Sequence, residues 1–184
     1  MKRVTFFFNL IFTTSSPNAG WFTRLISWLF MYFTRGIVSH TAGVFDIYGM
    51  RMTVGAESDG VSWIPLKKFT EKNRIVCSLV PKVNYDKLKP AFVKLMKEYS
   101  DAKYDYRSVG VGFLKYVLSL PVKWLKKLLS KREVNCTELY IKYLQYADFN
   151  CVRYLDPKLS SAPDLMNMCL RSNEFDIVFY YKRK

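Results

Sequence analysis

The chain holds a single histidine, His40, and four cysteines, Cys77, Cys136, Cys151 and Cys169, with no C-x-x-C spacing among them. One imidazole and no paired thiols exclude the standard zinc sets, so no metal is expected, and no cofactor motif is present. The spacing does not trace a disulfide framework; a reducing compartment is the simpler reading, although an even count leaves disulfides open. Acidic residues are scarce, 15 against 29 Lys and Arg, for a formal net charge of +14. That imbalance calls for an anionic partner: nucleic acid, anionic lipid or an acidic wall polymer. No recognised nucleic-acid motif accompanies it, which makes nucleic acid the weakest of the three. Long uninterrupted apolar runs are also missing. Trp21–Phe33 comes closest to a membrane-spanning length, and Arg24 breaks it. Internal repeats and low-complexity stretches are absent.

The 184 residues, half of them apolar, suit one compact domain over 1–184 with room for a sizeable core. The N-terminus imitates an export signal, with Lys2 and Arg3, apolar Val4–Phe12, then small and polar Thr13–Ala19. The same stretch reads as a buried strand, Thr5–Thr13, ended by the turn residues Ser16-Pro17-Asn18, and the strand is the favoured reading. The expected location is cytoplasmic, with membrane association and an export signal left open.

Going along the chain, Trp21–Arg35 reads as a helix whose stripe of Phe22, Leu25, Ile26, Leu29 and Phe33 faces the core. Ile37–Tyr48 and Arg51–Ala56 read as antiparallel partners with a bend near Asp46–Gly49, and Val61–Pro65 resumes the sheet. Arg74–Pro81 is a further strand. Tyr85–Glu98 is a helix with Leu88, Phe92 and Leu95 inward and a break expected at Pro90. Val122–Arg132 is a basic amphipathic helix carrying Lys123, Lys126, Lys127 and Lys131 opposite Trp124, Leu125 and Leu128. It suits either a solvated surface or an anionic membrane or polymer surface. A helix starts near Ser161-Ala162-Pro163-Asp164, and Asp176–Tyr181 closes the sheet.

The chemistry gathers on Asn135-Cys136-Thr137-Glu138-Leu139-Tyr140. Leu139, Tyr140, Tyr143, Leu144 and Ala147 follow a helical period, which sets Cys136 in the first turn, where unpaired backbone N–H groups favour an anion. A thiol there is predisposed to ionise. It becomes a nucleophile only with a base, and His40 is the sole imidazole, so the two must meet in space. A small buried hydrophobe is the plainer reading of a cysteine at a helix start. Cys77, Cys151 and Cys169 lie on apolar-patterned stretches and read as packing residues.

Ser39-His40-Thr41-Ala42-Gly43-Val44-Phe45, then Gly60-Val61-Ser62-Trp63-Ile64-Pro65-Leu66, then Lys103-Tyr104-Asp105, and last Cys136-Thr137-Glu138-Leu139 stand in a telling order. Together with Ile11-Phe12-Thr13 and Pro163-Asp164-Leu165, they resemble the permuted NlpC-type papain-like family, which includes YiiX-like hydrolases and lecithin-retinol acyltransferase relatives. The resemblance spans nearly the whole chain and implies an α+β fold of permuted papain-like type, a central antiparallel sheet with packed helices. It implies a Cys136–His40 thiol enzyme working through an acyl-cysteine. A polar residue on the strand after the histidine strand would orient the imidazole. Glu57 is the nearest candidate, but the match around Gly60-Val61 could also align that position with Gly55, and Asp59 is a further polar group. By resemblance Tyr104 lines the substrate cleft. Glu138 reads better as a helix-start residue than as a general acid.

Three functions follow as expectations. The first is hydrolysis of an amide or ester bond in a peptide-like or cell-wall substrate. The second is acyl transfer or lipid-ester hydrolysis at a membrane surface, favoured by the basic Val122–Arg132 helix and by the aromatic-rich Trp21–Phe33 segment as surfaces that could meet a membrane, and the third is a non-catalytic basic binding module.

Overall fold

The computed structural model describes residues 7–47, 49–83, 85–107, 110, 111, 115 and 133–181. The basic stretch Val122–Arg132, with Lys123, Lys126, Lys127 and Lys131, lies outside these residues, as do the first six residues and the Lys182-Arg183-Lys184 tail.

The fold is α+β. A six-stranded antiparallel sheet runs in the order β4-β3-β2-β1-β5-β8, formed by β1 (Phe7–Ser15), β2 (His40–Ile47), β3 (Met50–Glu57), β4 (Gly60–Pro65), β5 (Asn73–Pro81) and β8 (Phe175–Tyr180). A separate two-stranded parallel pair joins β6 (Lys103–Tyr104) to β7 (Glu133–Val134). The described residues include five α-helices: α1 (Trp21–Thr34), α2 (Leu66–Lys72), α3 (Tyr85–Tyr99), α4 (Cys136–Tyr146) and α5 (Ala162–Arg171). None of them is long and apolar enough to cross a membrane.

Period-2 alternation explains the sheet. Along β1, Phe8, Leu10 and Phe12 join the large core with α3 and α4, while Ile11 joins a smaller cluster with Ala42, Val44 and Phe69 of α2. Each fully buried side chain of this size contributes about 2 kcal/mol. The large core is aromatic: Phe8 meets Tyr143 edge-on at 4.9 Å, and Phe45 meets Phe92 at 4.4 Å. Tyr140, fully buried, donates its hydroxyl proton to the Val54 carbonyl. That ring crosses β2 only because position 43 is glycine; a Cβ there would stand 2.6 Å from the Tyr140 hydroxyl oxygen.

The apolar N-terminal stretch is a strand, β1, which is described from Phe7 and runs on to Ser15 rather than ending at Thr13, and it lies between β2 and β5 near the sheet centre. The seven-residue α2 was not anticipated, being too short for its periodicity to register. α3 is not broken at Pro90; the helix runs through it from Tyr85 to Tyr99, without the N–H that a proline cannot supply. α5 begins as expected, with a reciprocal capping box between Ser161 and Asp164.

The larger correction concerns α1. Its apolar residues do not face the core: Trp21 is 76 % exposed, Phe22 61 % and Tyr32 65 %, and Leu25, Ile26 and Trp28 are exposed too. The one buried residue of the helix is Ser27, whose hydroxyl meets those of Ser39 at 2.6 Å and Thr14 at 3.2 Å. α1 therefore rests on the sheet through Ser27 and Met31 rather than through its aromatic stripe. Periodicity identified the stripe but could not say which side of the helix the protein occupies.

Candidate active site

Cys136 is the first residue of α4, and Asn135 is its N-cap. Asn135 Oδ1 accepts the Glu138 N–H at 2.8 Å, and the first intrahelical bond runs from Leu139 N–H to the Asn135 carbonyl at 3.1 Å. The Cys136 and Thr137 N–H groups thus precede the helical ladder, at the positive end of the helix and beside the thiol.

His40 opens β2, tied to the sheet by its pairing with Thr13. Its imidazole lies 6.0 Å from the Phe69 ring, centroid to centroid, so α2 backs it from the face opposite the main core. The β2–β3 pairing fixes its neighbour. Gly43 pairs with Val54, and stepping three residues outward along both strands brings His40 opposite Glu57. Their side chains stand 3.3 Å apart, Nε2 to Oε1, and are 16 % and 32 % exposed, open enough for substrate to reach. The pair lacks good hydrogen-bond alignment, so its attraction is chiefly that of charge. Glu57 is the last residue of β3 rather than a residue beyond it. Asp59 sits in the following turn, against Ser58, and Gly55 supplies only the space into which His40 and Glu57 lean. Of the three candidates for an orienting position, the structure brings Glu57 alone to the imidazole.

The thiol and imidazole lie within hydrogen-bonding reach of each other. With Nε2 turned to Glu57, Nδ1 is the nitrogen left to face the sulfur. The sulfur touches the Thr137 hydroxyl at 3.9 Å, and the nearby Thr41 backbone N–H favours its charged form. Burial by itself would raise the Cys136 pKa, but the His40 charge and hydrogen bond, helped by Thr41 and Thr137, hold it below the usual thiol value. Burial would likewise depress His40, yet the Cys136 and Glu57 charges outweigh it and hold the imidazole well above its ordinary range. Burial opposes ionisation of Glu57 too; the His40 and Lys72 charges prevail and lower it. All three shifts point to thiolate, imidazolium and carboxylate in a row. Cys77, by contrast, is pushed up to about 12 by burial alone, which makes it a packing residue.

A cavity of about 210 Å³ opens over this row, lined by His40, Glu57, Tyr104, Cys136 and Lys158, with Ile26 and Phe30 of α1 on one wall. Tyr104 does reach the cleft. Burial and the neighbouring Cys136 charge raise its pKa well above the usual phenol range, so its hydroxyl stays a proton donor beside the sulfur. Among the described residues no group of three His, Cys, Asp or Glu could hold a metal ion.

Sequence reading missed Lys158. Its ammonium bridges Glu138 Oε2 at 2.8 Å and Asp105 Oδ2 at 3.0 Å, and also donates to the Glu133 carbonyl. Glu138 is therefore a buried partner within the helix start, as read, but held by a cation from a distant loop. Nothing local distinguishes Lys158 among the many basic residues of the chain. The bridge ties α4, β7 and the residue after β6 together, and so fixes Tyr104 and Cys136 relative to each other.

Compared with protein-family models, with curated proteins and with solved structures, the chain matches none.

Proposed function

We propose that the chain is a thiol-dependent acyl hydrolase or transferase, of the permuted papain-like, NlpC-type kind that its motif order resembles. The observation that carries this is the meeting of its one histidine with the one cysteine at a helix N-terminus, with Glu57 behind the imidazole. Papain-like order would place cysteine before histidine; here His40 precedes Cys136, as the permuted arrangement requires.

In this reading the Cys136 thiolate attacks the carbonyl carbon of an amide or ester. A C–S bond forms and the carbonyl π pair moves to oxygen, where the Cys136 N–H and the Tyr104 hydroxyl are the donors at hand. The tetrahedral species collapses and expels the amine or alcohol, protonated by the His40 imidazolium. Water, or an acceptor alcohol or amine, then adds to the acyl-cysteine while neutral His40 takes its proton, and C–S cleavage returns the thiolate. Glu57 keeps the ring in place and sustains its positive charge, as an orienting group rather than a proton carrier.

Alkylation by iodoacetamide at limiting reagent, read by mass spectrometry at all four cysteines, tests the reading. Cys136 should react first, and its reaction should slow in His40→Ala. Equal labelling of Cys136 in the wild type and in His40→Ala would overturn the pairing and leave a basic binding module as the better account. A panel of peptide, wall-peptide and lipid esters and amides then identifies the acyl donor, with Cys136→Ala as the inactive control.

A further inference from the structure

The outward face of α1 is unlike a surface helix. At 100° per residue, Trp28, Trp21, Tyr32, Leu25, Leu29, Phe22, Phe33 and Ile26 fill one continuous arc, while Thr23, Thr34, Ser27 and Arg24, with Phe30 and Met31 among them, fill the other. The arc that water sees is the apolar one: Trp21, Phe22, Leu25, Ile26, Trp28 and Tyr32 are each more than 40 % exposed. Contiguous exposure of that kind marks a surface with an unmet partner. Its polar side is already engaged, through Ser27 with Thr14 and with Ser39, the residue next to His40.

Three features identify the partner. Tryptophan and tyrosine dominate the exposed arc, the residues that suit a boundary where one end is apolar and the other wet. Basic side chains flank it: Arg24 borders Trp28 on the helix, and Arg74 shares a hollow with Trp28, Tyr32 and Tyr181. The net charge of +14 sets two copies of the chain against each other but attracts an anionic sheet. The same helix also reaches the site, since Ile26 and Phe30 line the cavity over Cys136.

We propose that α1 is an interfacial helix that docks the chain on an anionic phospholipid bilayer, its aromatic arc sunk to the headgroup boundary and the Cys136 cavity opening at that surface. Docking does not depend on the thiol chemistry. Its consequence, that the acyl donor is a membrane lipid ester or amide entering past Ile26 and Phe30, rests on the reading given above.

Co-sedimentation of the full chain with vesicles tests it, using phosphatidylcholine alone and phosphatidylcholine mixed with phosphatidylglycerol. The chain should bind the mixed vesicles. The triple variant Trp21→Ser, Trp28→Ser, Tyr32→Ser should bind at least about tenfold more weakly, since each side chain removes apolar area from the contact. Arg24→Gln with Arg74→Gln should lose about tenfold on the mixed vesicles and nothing on neutral ones, and added salt should mimic that loss. Iodoacetamide labelling of Cys136 should be the same in these variants as in the wild type, which shows that the fold around the site is intact. Cys136→Ala should bind vesicles normally, so a failure of docking and a failure of the thiol reading are told apart. Absence of vesicle binding, or binding unchanged in the triple variant, would overturn the proposal. A dimer in solution that the triple variant dissolves, without vesicle binding, would assign the face to a second copy and overturn it equally.

Discussion

His40 and Glu57 stand opposite each other across β2 and β3, Nε2 3.3 Å from Oε1, because Ile47 pairs with Met50 and that register carries outward along both strands. Gly49 supplies the positive φ of 82° that so short a turn demands, and its N–H is held by Asp46 Oδ1 at 2.8 Å. An insertion of one residue there would slip the register and take the carboxylate to the other face. The hairpin turn, far from the cavity, is thus what places the third member of the row.

Glu57→Gln should slow turnover by less than His40→Ala does, because the amide still holds the ring but no longer supplies charge. His40→Ala should cost about 100-fold or more, as expected for a lost general base with no second imidazole in the chain. Measured kcat/KM for the two variants on the same substrate checks the order. A larger loss in Glu57→Gln would mean that the carboxylate contacts substrate.

The pH dependence of alkylation follows from the same row. A thiolate held below the usual range keeps Cys136 reactive at pH values where an ordinary thiol of pKa about 8.5 is mostly protonated. Labelling should fall only as pH drops through the lowered thiol pKa. At the alkaline end the imidazolium deprotonates, and His40 lies well above its ordinary value. Because the Glu57 charge favours the imidazolium, Glu57→Gln should move the alkaline limb of kcat/KM to lower pH. A limb that stays put would remove Glu57 from the electrostatics of the pair.

Much of this was legible beforehand, for physical reasons that differ from element to element. His40 and Cys136 could be read because one lies in a run with strand period and the other heads a run with helix period, and the chain offers no rival imidazole. Glu57 could be nominated but not chosen over Gly55 or Asp59, since the choice depends on register, and register depends on a turn whose exact length the pattern alone leaves loose. The stripe of α1 was visible and its direction was not: an apolar face seeks an apolar neighbour, whether that is a core or something outside the chain. Lys158 was invisible, because its meaning comes from Glu138 and Asp105, 20 and 53 residues away.

Gly43→Ala should destabilise the fold by about 1–3 kcal/mol, the usual cost of forcing a methyl group into a filled core. The new Cβ would meet the Tyr140 hydroxyl oxygen at 2.6 Å and both the Phe8 and Tyr140 rings at 2.7 Å, and neither buried ring has room to retreat. The urea midpoint reads this directly. Tyr140→Phe removes only the hydroxyl and its bond to the Val54 carbonyl, so adding it to Gly43→Ala should not restore the wild-type midpoint. Full restoration would show that the hydroxyl alone makes the contact tight.

The Lys158 bridge gives the fold a pH dependence of its own. Burial lifts the Glu138 pKa to about 7, against the pull of Lys158, with the nearby Asp105 charge adding to the rise. The short Lys158 contact and the raised pKa are compatible, because one ammonium is shared between two buried carboxyl groups. In the unfolded chain a glutamate titrates near 4.3, so between there and about 7 the folded state holds a proton that the unfolded state has released. Stability from this group is therefore greatest at the acid end of that window and declines as pH rises through it, the reverse of an ordinary paired carboxylate. Glu138→Gln cannot titrate and should flatten that part of the stability curve, most visibly by gaining on the wild type above about pH 7. Lys158→Met should instead destabilise by on the order of 3 kcal/mol at neutral pH, because it leaves Asp105 and Glu138 buried with no cation between them. Chemical denaturation at a series of pH values separates the two. A wild-type curve that rises with pH across this window, with Glu138→Gln parallel to it, would show that the bridge keeps Glu138 fully ionised.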